Sequence, residues 1–337
     1  MVGDDEPRSK SAGEGGILLE NETQDVHKKP VSARRRRIEL CRAGSVGVKR
    51  PKDPSEGGSM SSSPPDRDAD DGLIGILAVG GDAMLMAMPI VVYWLYAGVY
   101  EALSCFSGLD SYRLHPRKEE QSNNLASKAE VVKGVLLQQV IQATLTLLLT
   151  KLAGDDPNRH KPETTTAAAA ARFFVAMVVF DSWQYFVHRC MHHNRLLYRK
   201  FHSWHHRIVA PYAFAAQYNH PVDGVLTETV AGALAYLVSG MSPATAAAFF
   251  CFATVKGIDD HCGLLLPWNP FHLVFGNNAA YHEVHHRRRG GGSTHNYAQP
   301  FFVAWDKIMG TYLPYAVAKR EDGAGYEVRV AENKKTE

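Results

Sequence analysis

The sequence predicts an all-α fold: a multi-helix integral membrane protein with a cytosolic, histidine-rich metal-binding cap. Three observations predict this class. Several apolar runs of helical length follow one another after residue 82. Histidines cluster directly behind these runs, and every aromatic residue lies at or after Tyr93. The formal net charge of +2 gives no reason to expect a nucleic-acid partner.

The first 72 residues differ in composition from the rest of the chain. They contain no Phe, Trp or Tyr and are rich in Ser, Gly, Pro, Arg and Asp. Such a segment cannot bury a core, which predicts a disordered polar N-terminal extension. Met60 begins a short polar lead into the first apolar run, so translation could start there and omit the first 59 residues. The predicted organisation is this extension (1–72), N-terminal membrane helices (73–160), a catalytic domain (161–320) and a polar C-terminal tail (321–337).

Five apolar runs are candidates for membrane helices. They are Ala83–Tyr100, Val135–Thr150, Phe173–Val187, Leu226–Ser239 and Pro243–Val255. Only the first approaches the roughly 20 residues that cross a bilayer upright, and it ends in a Tyr- and Trp-rich stretch typical of a membrane interface. The shorter runs are also compatible with core helices of a soluble protein. Their close succession in one chain favours the membrane interpretation.

The histidines fall into three clusters whose spacing indicates metal binding. Positions i, i+3 and i+4 of a helix share one face, so each HxxHH run can aim three imidazoles at one point. The runs begin at His202 and His282, and His188 with His192 add a further pair. These eight imidazoles are enough for two metal ions, since a structural zinc needs only four ligands.

The order of the apolar runs predicts that the clusters meet at one membrane face. His188 and His192 directly follow the Phe173 run. The next two apolar runs would form a hairpin into the membrane and back, which returns His261 to the same face. The predicted metal ligands are therefore His188, His192, His202, His205, His206, His261, His282, His285 and His286.

Some neighbouring residues remain open as ligands or as groups that orient ligands. His193 would point away from His192 on a helix, by about 100°. His220 precedes a proline in a turn-like segment and could be a ligand, a hydrogen-bond donor or a loop residue. Asp181 and Gln184 lie about one to two turns before His188, and either could hold the distal N–H of a ligand imidazole. The isolated histidines, which are more often surface or core residues than ligands, are left out: His27, His115, His160, His272 and His295.

From about Asp181 to Pro314 the chain resembles the fatty acid hydroxylase superfamily of membrane histidine-box di-iron oxygenases. Within it, the sequence is most similar to the plant sphinganine C-4 hydroxylases, also called sphingoid base hydroxylases. The resemblance is carried by the strings DSWQYFVHR (181–189), MHHN (191–194), HSWHHR (202–207), PYAF (211–214), YNHP (218–221), DDHCG (259–263), YHEVHH (281–286), QPFF (299–302) and WDKIMGTY (305–312).

The resemblance implies a reaction and its cofactors. It implies hydroxylation of the long-chain base sphinganine at C-4, giving 4-hydroxysphinganine in sphingolipid biosynthesis. It also implies two iron ions, with dioxygen as co-substrate. The electrons would come from NAD(P)H through a reductase and a b-type cytochrome. An external donor agrees with the sequence, which shows no GxGxxG nucleotide motif. The implied partners are the long-chain sphingoid base, the lipid bilayer and the b-type cytochrome.

Two further segments bear on this interpretation. The Gly-rich loop from Arg287 to Thr294 departs from the family pattern and lies close to the predicted metals. Lys334 and Lys335, at the fourth and third positions from the end, resemble a dilysine retrieval signal. That signal predicts a multi-pass protein of the endoplasmic reticulum membrane, with the histidines and the C-terminus facing the cytosol.

The residues leave other functions open. Another lipid oxygenase of the superfamily would act on sterol methyl groups, fatty acyl chains or aldehydes. A membrane protein that binds metal without turnover would need the same ligands. A zinc hydrolase is disfavoured because the clustered histidines are more numerous than a single catalytic zinc needs, although His282-Glu283-Val284-His285-His286 also fits the HExxH spacing.

Overall fold

The computed structural model describes residues 67–154, 163–287, 296–297, 299–321 and 323–330. Most of the predicted N-terminal extension, the two C-terminal lysines, most of the Gly-rich loop, and His27, His160 and His295 lie outside these residues. The α-helices of the described part are α1 (Arg67–Cys105), α2 (Arg117–Asn123), α3 (Lys128–Ala153), α4 (Thr166–His193), α5 (Arg195–Lys200), α6 (Pro221–Gly224), α7 (Ala231–Ser239), α8 (Pro243–Asp260), α9 (Pro270–Val274), α10 (Ala279–His286) and α11 (Ala304–Ile308).

The described chain also contains tighter and wider helical turns and one hairpin. Three 3₁₀ turns span Ser107–Tyr112, His202–Arg207 and Ala213–Ala215. A π-helical turn, Val225–Val230, joins α6 to α7 without a break. The hairpin consists of strands β1 (Tyr315–Lys319) and β2 (Tyr326–Val330), which pair antiparallel.

Four helical segments are long and apolar enough to cross a membrane, which confirms the predicted multi-helix membrane fold. They are Met86–Cys105, Lys128–Leu152, Thr166–His193 and Pro221–Ser239. The expectation that only the first run approaches this length was wrong, because flanking polar residues join each helix and extend it beyond its apolar run. The run at Pro243 forms most of α8, which is not among the four and ends in Asp259 and Asp260.

Helix α3 shows why these segments need a membrane. Its outer side carries exposed apolar side chains, with Val140 64% and Leu152 84% exposed. Its inner side buries Val135 together with the amide of Gln138. An exposed apolar surface with buried amides suits lipid surroundings better than water. Gly224 of α6 lies directly against Gln138, and a Cβ atom at this position would clash with its amide.

Short polar motifs define where the long helices begin. Ser127 and Glu130 form a capping box at the start of α3, in which each side chain accepts a hydrogen bond from the other residue's backbone N–H. Thr165 accepts from the backbone of Ala168 and caps α4. Ser242 caps α8, whose first residue is Pro243. These caps satisfy N–H groups that have no partner within the helix.

The packing of the helices brings the histidine-bearing segments of the chain together. Helices α4 and α7 pack through small residues, with Ala176, Ala231 and Ala235 all buried. The rings of Phe249 and Phe301 complete this core. The C-terminal ends of α4 and α8, the 3₁₀ turn at His202 and the whole of α10 thereby converge, and these segments carry the nine histidines.

The hairpin is a local departure from the all-α prediction. Tyr315 is in register with Val330, and Val328 is buried. Strand β2 lies in the segment for which the sequence indicates a polar tail. Arg287, at the end of α10, donates a hydrogen bond of 2.8 Å to the carbonyl of Val328 and so fastens the hairpin to the histidine-bearing helix.

Candidate metal centre

All nine histidines predicted as ligands lie together, in two groups. In each group the ring nitrogens lie within 4.8 Å of one another. The five-histidine group contains His188, His192, His202, His206 and His285. The four-histidine group contains His205, His261, His282 and His286.

The local conformation divides the HxxHH runs between the two groups. The run at His202 forms a 3₁₀ turn rather than an α-helix, and its middle histidine, His205, joins the other group from its neighbours. On α10, His282 and His286 are one α-turn apart and share a group, whereas His285 joins the other. Each run therefore contributes to both groups, instead of aiming all its imidazoles at one point. This holds the two groups side by side.

Hydrogen bonds at Nδ1 orient most of the rings. His202 donates to Oδ2 of Asp223 at 2.7 Å. The others donate to backbone carbonyls: His188 to Tyr297 (3.4 Å), His205 to Tyr218 (3.3 Å), His261 to Gly257 (2.8 Å), His285 to Asn296 (2.7 Å) and His286 to Ile208 (2.7 Å). A proton held on Nδ1 leaves Nε2 as the nitrogen with a free lone pair, which is the arrangement found around metal-binding histidines.

The Nε2 atoms then face one another at short distances. In the five-histidine group, Nε2 of His206 lies 3.1, 3.2 and 3.1 Å from Nε2 of His192, His202 and His285. In the four-histidine group, Nε2 of His282 lies 3.1 Å from that of His261 and 3.0 Å from that of His286.

These spacings fit metal coordination. Nitrogens bound about 2.1 Å from one ion lie roughly 3.0 to 3.4 Å apart at octahedral to tetrahedral angles. Facing lone pairs repel each other unless a cation lies between them. Nε2 of His188 supports this reading, because it is buried and has no hydrogen-bond partner within the described residues. The donor set and its spacing therefore suit two metal ions.

Burial keeps these imidazoles in the neutral form that binds metal. It lowers the pKa of His205, His206, His282 and His286 well below the usual value, and the neighbouring imidazoles lower it further. Burial also lowers the pKa of His261, to about 4. Metal ligation needs no proton to be displaced from Nε2 when the ring is already neutral.

The residues left open by the sequence lie outside both groups. The exposed ring of His193 bonds through Nδ1 to the carbonyl of Arg189 at 3.2 Å. His220 caps α6, where its Nδ1 accepts from the backbone of Val222. Asp181 accepts from the backbone of Phe301 and Phe302, and Gln184 donates to the carbonyl of Thr227. Neither of these last two bonds to a histidine in the described part.

The sequence did not identify the groups that do orient the ligand histidines. Asp223 lies on α6 and bonds to His202. It has no fixed spacing to that histidine that a motif could reveal. The remaining partners are backbone carbonyls, which carry no sequence signal at all.

A buried polar network fixes the end of α8, which carries His261. Lys256 is fully buried and pairs with Asp260, and its ammonium also donates to the carbonyl of Asn277 at 3.1 Å. Asp259 accepts from the hydroxyl of Tyr100 at 2.6 Å and lies 3.1 Å from Nε2 of His272. Together with Cys262, Asp259 and His272 form a third group of close ligand atoms. Their contacts join α1, α8 and α9.

A cavity of about 470 Å³ leads from the histidines into the membrane helices. Four of the nine histidines line it: His188 and His202 from one group, and His205 and His261 from the other. The far part is lined by apolar side chains that include Met86, Ile90, Leu149, Tyr236, Leu237 and Phe250. Its volume lies within the range of ligand pockets, and its shape suits a molecule with a long apolar tail.

Comparison with known proteins places this site in a family. The sequence model of the family "Fatty acid hydroxylase" matches residues 173–311. Sphinganine C4-monooxygenases 1 and 2 of Arabidopsis thaliana are 54% and 52% identical to the chain, over 75% and 72% of it and 95% and 92% of their own length. A very-long-chain aldehyde decarbonylase of Oryza sativa subsp. indica, GL1-9, is 49% identical over 74% of the chain and 96% of its own. No solved structure matches the chain.

Proposed function

The chain belongs to the fatty acid hydroxylase family, and we propose that it is a sphinganine C-4 monooxygenase of sphingolipid biosynthesis. The substrate is the long-chain base sphinganine, and the product is 4-hydroxysphinganine. Two relatives that are more than half identical over nearly their whole length carry the name of this reaction. The observation that supports it best is that both histidine groups line one largely apolar cavity.

The two histidine groups would hold two iron ions. The five-histidine group would hold one ion and the four-histidine group the other, through Nε2 in each case where Nδ1 is hydrogen bonded. When bound, reduced iron supplies the activation of dioxygen that oxidation of an unactivated C–H bond requires and that side chains alone cannot provide. The electrons would come from NAD(P)H through a reductase and a b-type cytochrome.

The residues of this chain bind, orient and enclose the substrate. The apolar lining binds the hydrocarbon tail. Moving the tail from the surrounding lipid into this lining leaves no polar group without a hydrogen-bond partner. The head then lies at the end lined by His188, His202, His205 and His261. These rings are buried, and hydrogen bonds at Nδ1 fix their orientation. The site is therefore preorganised before the substrate enters.

We place the protein in the endoplasmic reticulum membrane with the histidine groups and the C-terminus on the cytosolic side. The four apolar helices support a membrane location. The dilysine pattern at Lys334 and Lys335 supports the organelle and the orientation. A cytosolic face also gives a cytosolic electron donor direct access to the metals.

A second candidate is suggested by the rice relative, which is named an aldehyde decarbonylase. Such an enzyme would act on a long-chain aldehyde in the same cavity. Both reactions need an apolar tail site beside a metal centre, so the tail end of the cavity does not separate them. The products do separate them, because one adds an oxygen atom to a base and the other removes a carbon from an aldehyde.

The deciding experiment is expression in cells that lack their own sphinganine hydroxylase, grown under heavy dioxygen. We expect 4-hydroxysphinganine that carries one heavy oxygen atom, detected by mass spectrometry of the long-chain bases. A His206→Ala variant serves as the inactive control. If the membrane-bound, iron-containing protein forms no such product, this function is wrong, and formation of an alkane from supplied aldehyde would establish the second candidate.

A further inference from the structure

Glu228 is a buried carboxylate that the metal centre does not use. It lies on the π-helical turn between α6 and α7 and lines the cavity that ends at the histidines. Its Oε1 accepts a hydrogen bond of 3.0 Å from the amide of Asn219, and its Oε2 accepts one from the amide of Gln142. π-helical turns are rare and occur often at functional sites.

No cation of the described chain balances this carboxylate. Its partners are two neutral amides, and the charged group that acts on it is a second carboxylate, Asp223. Among the described residues that line the cavity there is no lysine and no arginine. Asp223 differs from Glu228 because it is already engaged with His202. An ionised carboxylate in such a place is costly unless a positive charge joins it.

Glu228 lines the same cavity as four of the histidines, and its neighbours are hydrogen bonded to the histidine groups or to the helix that carries them. Asn219, which holds Oε1, follows Tyr218, whose carbonyl accepts from Nδ1 of His205. The preceding residue, Thr227, accepts at its carbonyl from Gln184, one turn before His188 on α4. Glu228 is therefore tied through short hydrogen-bonded links to a ligand of each group.

We propose that Glu228 binds the ammonium group of the substrate and thereby selects long-chain amines and fixes which carbon meets the metals. This inference rests on the proposed function. In sphinganine the ammonium lies on C-2, between the hydroxyls of C-1 and C-3 and two carbons from C-4, and the chain beyond is apolar. A carboxylate in the wall of a cavity that holds histidines of both groups and many apolar side chains matches that distribution of charge. Glu228 is thus a positioning and specificity residue, and it takes no part in the oxidation.

The test compares wild type with Glu228→Gln, which removes the charge and keeps the shape and the hydrogen-bond acceptor. We expect the KM for sphinganine to rise about ten- to hundredfold, with kcat changed by less than about threefold. Inhibition by octadecylamine should weaken by a similar factor, whereas inhibition by the uncharged octadecanol should not change. Glu327→Gln, which removes an exposed carboxylate of β2, is the matched control.

Several results would overturn the inference. If Glu228→Gln weakens the amine and the alcohol equally, the residue only supports the cavity wall. If it changes neither, the residue does not contact the head. Should the variant fail to fold, the wild type still decides, because octadecylamine must inhibit at least about tenfold more strongly than octadecanol. Equal inhibition by the two would contradict the proposal. Absence of sphinganine hydroxylation by wild type would instead refute the proposed function.

Discussion

Oδ2 of Asp223 lies 2.7 Å from Nδ1 of His202, and both side chains are buried. Its other oxygen, Oδ1, has no hydrogen-bond partner among the described residues. A carboxylate in this position fixes the tautomer and the direction of the ring and makes Nε2 a stronger electron donor to a metal. His202 is the one predicted ligand whose Nδ1 bonds to a charged side chain rather than to a backbone carbonyl in the described structure.

Asp223→Asn should weaken metal binding at the five-histidine group by about ten- to hundredfold. The amide keeps the size of the side chain and loses its charge. Chelator titration followed by metal analysis would measure the change, with Asp110→Asn, which alters a partly exposed carboxylate paired with Arg113 and not with a histidine, as the control. Unchanged affinity would mean that the backbone contacts alone orient this group.

Single histidine variants should show that each of the two groups binds its own metal ion. His206→Ala and His282→Ala each remove a ring whose Nε2 lies within about 3.2 Å of others in its group, so each should lower bound iron from about two ions per chain to about one. Both should abolish activity, and the protein should stay in the membrane. His193→Ala is the matched control, because this exposed histidine belongs to neither group. Full iron content in His206→Ala or His282→Ala would remove that residue from the ligand set.

Lys256→Met should destabilise the protein by about 3–5 kcal/mol, because it leaves the buried carboxylate of Asp260 without its charged partner. Thermal unfolding in detergent, compared with wild type, would measure the loss. The double variant Lys256→Met/Asp260→Asn should recover much of it, since no buried charge remains. A single variant as stable as wild type would show that Asp260 is not ionised in the folded state.

Deletion of residues 1–59 should leave activity and iron content unchanged. Their composition, without aromatic residues, gives no means of building a core, and all nine histidines of the two groups lie after them. The comparison is made at equal protein in the membrane. A truncated chain that is correctly inserted and inactive would show that the segment has a function.

Replacement of Lys334 and Lys335 by Ser should allow the protein to leave the endoplasmic reticulum while its activity is retained. Microscopy of a tagged chain, with the tag placed before the first helix, would follow its location. Substituting Lys319 and Arg320 instead changes two basic residues that are not near the C-terminus and should have no effect on location. Retention of the doubly substituted chain would rule out the retrieval signal.

The sequence predicted which histidines come together, but it did not predict how they are divided between the two groups. All nine come together as expected because i, i+3 and i+4 spacings and the return of His261 follow from helix geometry alone. The division of each HxxHH run between two groups depends on the 3₁₀ turn at His202 and on the approach of α10, which no local pattern encodes. Asp223 and Glu228 were not identified, because acidic residues on an apolar helix have meaning only once their neighbours are known.

For the fold as well, the sequence predicted part of the structure and missed the rest. Apolar runs predicted the membrane helices, but their lengths were underestimated because polar residues such as Lys128 and Lys151 belong to the helix and not to the apolar run. The hairpin at Tyr315 was not expected, since each strand is short and half-exposed. Its pairing is stabilised by contacts with α10 that lie far away in sequence.

Two side chains of the cavity wall, Leu149 and Leu237, are also 50% and 72% exposed on the outer surface of the helices. The cavity therefore reaches the surface that faces lipid. A molecule with a long hydrocarbon chain is dissolved in the bilayer, and it can enter sideways without passing through water. The quantity that sets the occupancy of the enzyme is then the mole fraction of substrate in the membrane. Diluting a fixed amount of substrate with inert phospholipid should slow the reaction, whereas changing the volume of buffer should not.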